Sequence, residues 1–213
     1  TGLMLHDTMA FTKAGSPLGL VDVQCWARDP NEAGKKKYRN ELPIEEKESI
    51  KWLKSYRATS EIKKLCSDTR LVVIGDREAD IYELFYEKSK DKDNPDLLIR
   101  AEKTRNRKEG NVYLWDKMKG EEAAGYKEVL ISGKKNRCER IAKLEIKFSN
   151  VTIDPPKKLK KDFEPIKIWC IYAREVDYSK EVNESIEWML LTTIEIKSFE
   201  EAVEKIEWYG KRW

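Results

Sequence analysis

The chain has 213 residues, 38% of them charged and 40% hydrophobic, enough to bury one good core with a smaller appended module. No apolar run approaches the roughly 20 residues that cross a bilayer, and the N-terminal stretch lacks the basic-then-apolar pattern of a secretory signal, so a soluble, highly charged protein is expected. Cys25, Cys66, Cys138 and Cys170 are scattered and His6 is the one histidine. That argues against a zinc site, a disulfide framework and a Ser-His or Cys-His hydrolase. Carboxylates with a metal remain as the agents of any catalysis, and reduced thiols in a cytosol are the default.

The net charge of +3 is unevenly placed. There are 17 basic against 18 acidic residues over 1–96, 19 against 11 over 97–170 and 6 against 10 over 171–213. The basic middle suggests an anionic partner, most simply nucleic acid.

In chain order, residues 3–12 and 18–28 are β-rich runs joined by Lys13-Ala14-Gly15-Ser16-Pro17, the pattern of an antiparallel hairpin. In the second run Leu18, Leu20, Asp22, Gln24 and Trp26 alternate with Gly19, Val21, Val23, Cys25 and Ala27, which makes the second side uniformly apolar. Asp29 to Asn40, with Lys35-Lys36-Lys37, is a polar connection. Leu42 to Cys66 then reads as one helix, with Ile50, Leu53, Ile62 and Leu65 on recurring turns and Glu45, Glu46 and Glu48 near its start.

Leu71-Val-Val-Ile-Gly is a short buried strand, followed by a helix over about 77–88 and a strand over 97–101. Strand alternating with helix predicts an α/β fold. Glycines 110, 120, 125 and 133 and Pro155-Pro156 punctuate the next stretch, read as a mostly β insertion that carries the lysine-rich loop Asp154 to Asp162. Trp188 to Ile194 is a buried strand, and Ser198 caps a final helix with Phe199, Val203, Ile206, Gly210 and Trp213 along its packed side.

Asp76, at the carboxyl end of the buried strand, stands where α/β sheets commonly place chemistry. It stands equally well as a helix cap. Asp76-Arg77-Glu78-Ala79-Asp80 after that strand resembles the second-aspartate signature of the DDE cut-and-paste transposases of insertion-sequence family four. Tyr209-Gly210-Lys211-Arg212 resembles the first half of that family's Tyr-x2-Arg-x3-Glu-x6-Lys signature, and Trp188-Met-Leu-Leu-Thr-Thr stands at a family-like spacing before it.

The resemblance implies an RNase H-like mixed sheet with flanking helices. The core would take in 1–101 and 181–213, around a β insertion at 102–180. It implies DNA strand cleavage and transfer by two Mg²⁺ ions, with Mn²⁺ a substitute, held by three carboxylates of which Asp76 is the second. Arg77 and Glu78 would position Asp76. Arg100, Arg105, Tyr209 and Arg212 would contact DNA, and Trp188 would stack on a flipped base. Lys103, Arg107 and Lys108 would add unspecific attraction.

The family's first aspartate and its glutamate fall outside residues 1–213. The expected core is therefore incomplete, without its first strand and the end of its last helix. It would bind metal weakly and have little activity alone. The implied partners are double-stranded DNA at transposon ends and in targets, and a second subunit in the synaptic dimer, in a bacterial-type cytoplasm on the nucleoid. The competing expectations are a metal-dependent nuclease using Asp76 and Asp80, and a non-catalytic remnant that binds DNA through the basic insertion. His6 and Asp22 are given structural roles.

Overall fold

A computed structural model describes residues 2–28, 42–105, 107–131, 139–178 and 185–211. The expected polar connection at 29–40 lies outside the described residues. The chain forms two compact units, Thr1–Val73 with Ile81–Asp96, and Ile74–Asp80 with Leu97–Trp213.

In the first unit β1 (Leu3–Phe11) pairs antiparallel with β2 (Pro17–Ala27), in register from Leu3 opposite Ala27 to Thr8 opposite Asp22. Gly15, at φ 98°, supplies the positive dihedral of the turn, which Thr12 closes by donating its N–H to Ser16 O at 2.8 Å. The register then slips, so that Met9 faces Leu20. A bulge of this kind adds one residue to one strand. The alternation read from sequence therefore breaks at Val21, and Leu18 and Leu20 join the side of Val23 and Cys25. That apolar side is the exposed one, with Leu3 at 76% and Leu5 at 66%.

The half-buried side carries the polar residues. Asp22 Oδ2 accepts from Gln24 Nε2 at 2.7 Å and from Ser55 Oγ at 2.8 Å. His6 meets the Trp52 ring edge-on at 4.6 Å. Both residues thus have local packing roles.

Ser55 and Trp52 belong to α1 (Ile50–Leu65), which buries Trp52, Leu53, Ser55, Tyr56 and Thr59. The single helix expected over 42–66 is broken, because Ile44–Glu46 is a separate 3₁₀ turn and Lys47 after it is extended. Leu65 is 85% exposed and Ile62 is 40% exposed, contrary to the stripe expected. At about 100° per residue, the nine positions from Leu53 to Ile62 bring the side chain to the opposite side of the helix. Tyr56 donates its hydroxyl to Pro95 O at 2.8 Å, just beyond α2 (Tyr82–Ser89).

The second unit is built on a mixed sheet. Its strands are β3 (Val72–Gly75), β4 (Asp96–Arg100), β7 (Gly125–Ile131), β8 (Arg140–Ile153), β9 (Ile166–Val176) and β10 (Glu187–Thr192), in the order β3-β4-β10-β9-β8-β7. The chain passes between the units within β3 and at the start of β4. A small pair, β5 (Lys108–Glu109) with β6 (Val112–Tyr113), precedes α3 (Leu114–Gly120), a helix the sequence reading does not contain.

The β strands read as an insertion continue the sheet of β4 and β10, with Trp188 opposite Ala173 and Thr192 opposite Trp169. Met189, Leu190, Leu191, Cys170, Ile171 and Tyr172 are all fully buried. Consecutive buried residues need cover on both faces of a sheet. The final helix α4 (Phe199–Gly210) starts where expected, with Ser198 Oγ accepting from Glu201 N–H. A Cβ on Gly125 would lie 2.7 Å from the Phe199 ring, so glycine allows β7 to pass that ring. The fold is thus mixed α/β with four α-helices among the described residues.

Leu53→Ala should cost about 3 kcal/mol in urea unfolding, as a buried leucine truncation does. Leu65→Ala should change it by less than about 0.5 kcal/mol. Equal losses at both positions would contradict the helix face described.

Candidate functional site

The helix expected to begin at Arg77 is instead one 3₁₀ turn, Arg77–Ala79, and α2 starts afresh at Tyr82. Asp76 caps the turn in extended backbone, with Oδ1 accepting from Glu78 N–H at 2.9 Å. Its carboxylate is half-buried. The Glu78 backbone supports Asp76, the side chain of Arg77 approaches Glu102 at 4.0 Å, and Glu78 is exposed.

Asp80, the last residue of the motif, is fully buried. Its Oδ2 accepts from Glu102 N–H at 2.8 Å, and its Oδ1 accepts from Arg107 Nε at 2.6 Å and is ion-paired with Arg107 Nη2. Nη2 also donates to the Asp80 carbonyl at 3.0 Å. A planar guanidinium against a carboxylate satisfies several donors at once, which a buried charge pair requires. These bonds hold Asp80 at ψ 64°, outside helical geometry. Arg107, expected to attract DNA, is therefore a core residue.

Strand pairing assembles the rest. Leu190 lies opposite Arg100, and Ala101 N–H donates to Met189 O at 2.7 Å. Continuing that register sets Trp188 beside Glu102, and Lys103 reaches Glu187 at 3.2 Å. The residues after β4 and those opening β10 thus share one edge of the sheet. Arg100 is half-buried, and Arg105 is exposed on the 3₁₀ turn Lys103–Arg105. Lys103 also stands 5.2 Å from the centre of the Trp115 ring, and Lys108 4.4 Å from that of Tyr113.

Trp188 is half-buried and meets Tyr209 edge-on at 5.5 Å. Tyr209, expected on the DNA-facing side of the last helix, is fully buried, and its hydroxyl has no hydrogen-bond partner among the described residues. The reason is the stripe Ala202, Lys205, Ile206 and Tyr209, which turns inward at helical spacing and leaves Gly210 outside. Arg212 and Trp213 lie outside the described residues.

Glu187 is a polar centre the sequence reading missed. Tyr172 donates its hydroxyl to it at 2.7 Å, and Lys119 stands 3.6 Å away, opposite Lys103. Burial alone would raise its pKa; the hydrogen bonds from Tyr172 and Lys103 and the charges of Lys103 and Lys119 outweigh that and hold it below the ordinary 4.5. Burial and Glu187 together push the Tyr172 phenol up. No local pattern links residues 15 apart in this way; only the β9–β10 pairing does.

Among the described residues there is no group of three His, Cys, Asp or Glu placed to hold a metal ion. No described helix is long and apolar enough to cross a membrane. No family model matches the chain.

The depressed pKa of Glu187 has a defined linkage. A carboxylate that ionises more readily when folded contributes stability in full above its unfolded pKa and loses it as pH falls through the folded value. Stability should therefore fall from about pH 5 downward, and Glu187→Gln should flatten that fall in urea titrations. An unchanged acid limb in the variant would contradict the assignment.

Proposed function

We propose that the chain is catalytic-core sequence of a DDE transposase with an RNase H-like core, acting on double-stranded DNA in a bacterial-type cytoplasm. The single observation that carries this reading is the shared sheet edge. The half-buried edge strand β3 leads into Asp76, and the Arg100–Arg105 segment and Trp188, 88 or so residues apart in sequence, are brought beside each other by β4–β10 pairing. Arg105 offers an exposed guanidinium for phosphate. Trp188, braced by Tyr209, offers part of an indole for stacking.

The burial of Tyr209 changes its part in this reading from a phosphate contact to support for Trp188. The family chemistry calls for a metal pair clamped by three carboxylates. Asp76 with the described residues around it does not fit that group by itself. The nuclease alternative needs Asp80 as a second ligand, and Asp80 is committed to Arg107. The remnant alternative, DNA binding without chemistry, needs only the exposed Arg105 and the half-buried Trp188.

The deciding assay is cleavage of supercoiled plasmid and of element-end DNA with Mg²⁺ or Mn²⁺. It compares residues 1–213 with a longer chain carrying one further acidic ligand on each side. Cleavage by the longer chain alone, abolished by Asp76→Ala, is expected. Cleavage by residues 1–213 that persists in Asp76→Ala would overturn the assignment of Asp76, and a longer chain that binds but never cuts would leave the remnant reading.

A further inference from the structure

The lysines of the second unit divide into two groups. Many are matched with carboxylates: Lys119 with Glu187 at 3.6 Å, Lys127 with Glu207 at 3.4 Å, Lys143 with Asp177 at 3.0 Å and Lys197 with Glu195 at 3.1 Å. Lys157, Lys160 and Lys161, at the tip between β8 and β9, are exposed and have no carboxylate partner among the described residues. The tip and its flanks, residues 154–167, hold five lysines against Asp154, Asp162 and Glu164.

Backbone hydrogen bonds and buried side chains shape this tip. Ile153 and Ile166, paired across β8 and β9, are buried, and so is Pro155. Leu159 N–H donates to Pro156 O at 2.7 Å, and the N–H groups of Asp162 and Phe163 both donate to Leu159 O at 3.0 Å. Leu159 is half-buried, which fixes the turn while the lysines on either side point outward. Lysines carried on hydrogen-bonded backbone lose less backbone freedom on binding than lysines on a loose loop.

The tip is also tied to the Asp76 edge. Asp154 N–H donates to Lys108 O at 3.0 Å, and the neighbouring Arg107 is the residue bonded to Asp80. A short run of backbone therefore joins the motif turn to the root of the lysine tip.

We propose that the β8–β9 tip is a sequence-independent contact for the phosphate backbone of double-stranded DNA, extending the surface that begins at the Asp76 edge. The choice of DNA rests on the transposase reading; the anion-binding surface rests on the unpaired lysines. Lysines that neutralise phosphates release condensed counterions, so such binding weakens steeply with salt.

The test is fluorescence anisotropy of a labelled random-sequence duplex titrated with the chain at several NaCl concentrations, without divalent metal. It compares the wild type, K157Q/K160Q/K161Q and the charge-matched control K127Q/K143Q/K197Q. The tip variant should bind at least about tenfold more weakly at low salt and lose about 3 from the magnitude of the log K against log salt slope. The control should change the slope by less than about 1. Equal losses in both variants would mean diffuse net charge and overturn the proposal, as would a wild type without salt-dependent binding. With neither metal nor element ends present, this result is independent of the Asp76 cleavage assay.

Discussion

The buried pair of Asp80 and Arg107 is the constraint on which the candidate site depends. An aspartate taken wholly out of water is tolerated only when its charge and lone pairs are met, and here Arg107 and the Glu102 N–H meet them. Three consequences follow within the second unit. The turn after β3 stops at Ala79 in place of continuing as a helix. The backbone at Glu102, just past β4, is fixed to the same carboxylate. Arg107 is held in the core, which sets the start of β5 and the position of Lys108 against Asp154.

This arrangement divides the motif. Asp80 is structural, while Asp76, four residues earlier, stays half-buried at the edge with a backbone N–H holding one oxygen. The edge is completed from far along the chain, because β10 lies between β4 and β9 and is buried through most of its length. Trp188, the second residue of that strand, meets Tyr209 of α4 edge-on. Paired strands thus carry Trp188, while 3₁₀ turns carry Arg77 and Arg105.

Much of this was legible in the sequence where one local rule governed. The Gly15 turn, the run Val72 to Gly75 and the Ser198 cap each follow from residue type and spacing, and each is found. The hairpin faces were misread because a bulge at Val21 shifts the alternation, and nothing in a period-2 pattern announces a bulge. The stripe on α1 was misread because Leu53 and Ile62 share hydrophobicity but not a helix face. Arg107 looked like a surface cation among Lys103, Arg105 and Lys108, since its partner is 27 residues upstream. Motif spacing places Tyr209 at the surface, but the stripe it shares with Ala202 and Ile206 turns it inward.

The most direct test of the divided motif is a double-mutant cycle on Asp80 and Arg107, read by chemical denaturation. Asp80→Asn and Arg107→Gln should each cost about 3 kcal/mol, since either leaves one buried charge unmatched. The double variant should cost well under the sum, with a coupling of about 2 kcal/mol or more. Additive losses, or single losses below about 0.5 kcal/mol, would contradict the claim that this pair organises the turn after β3.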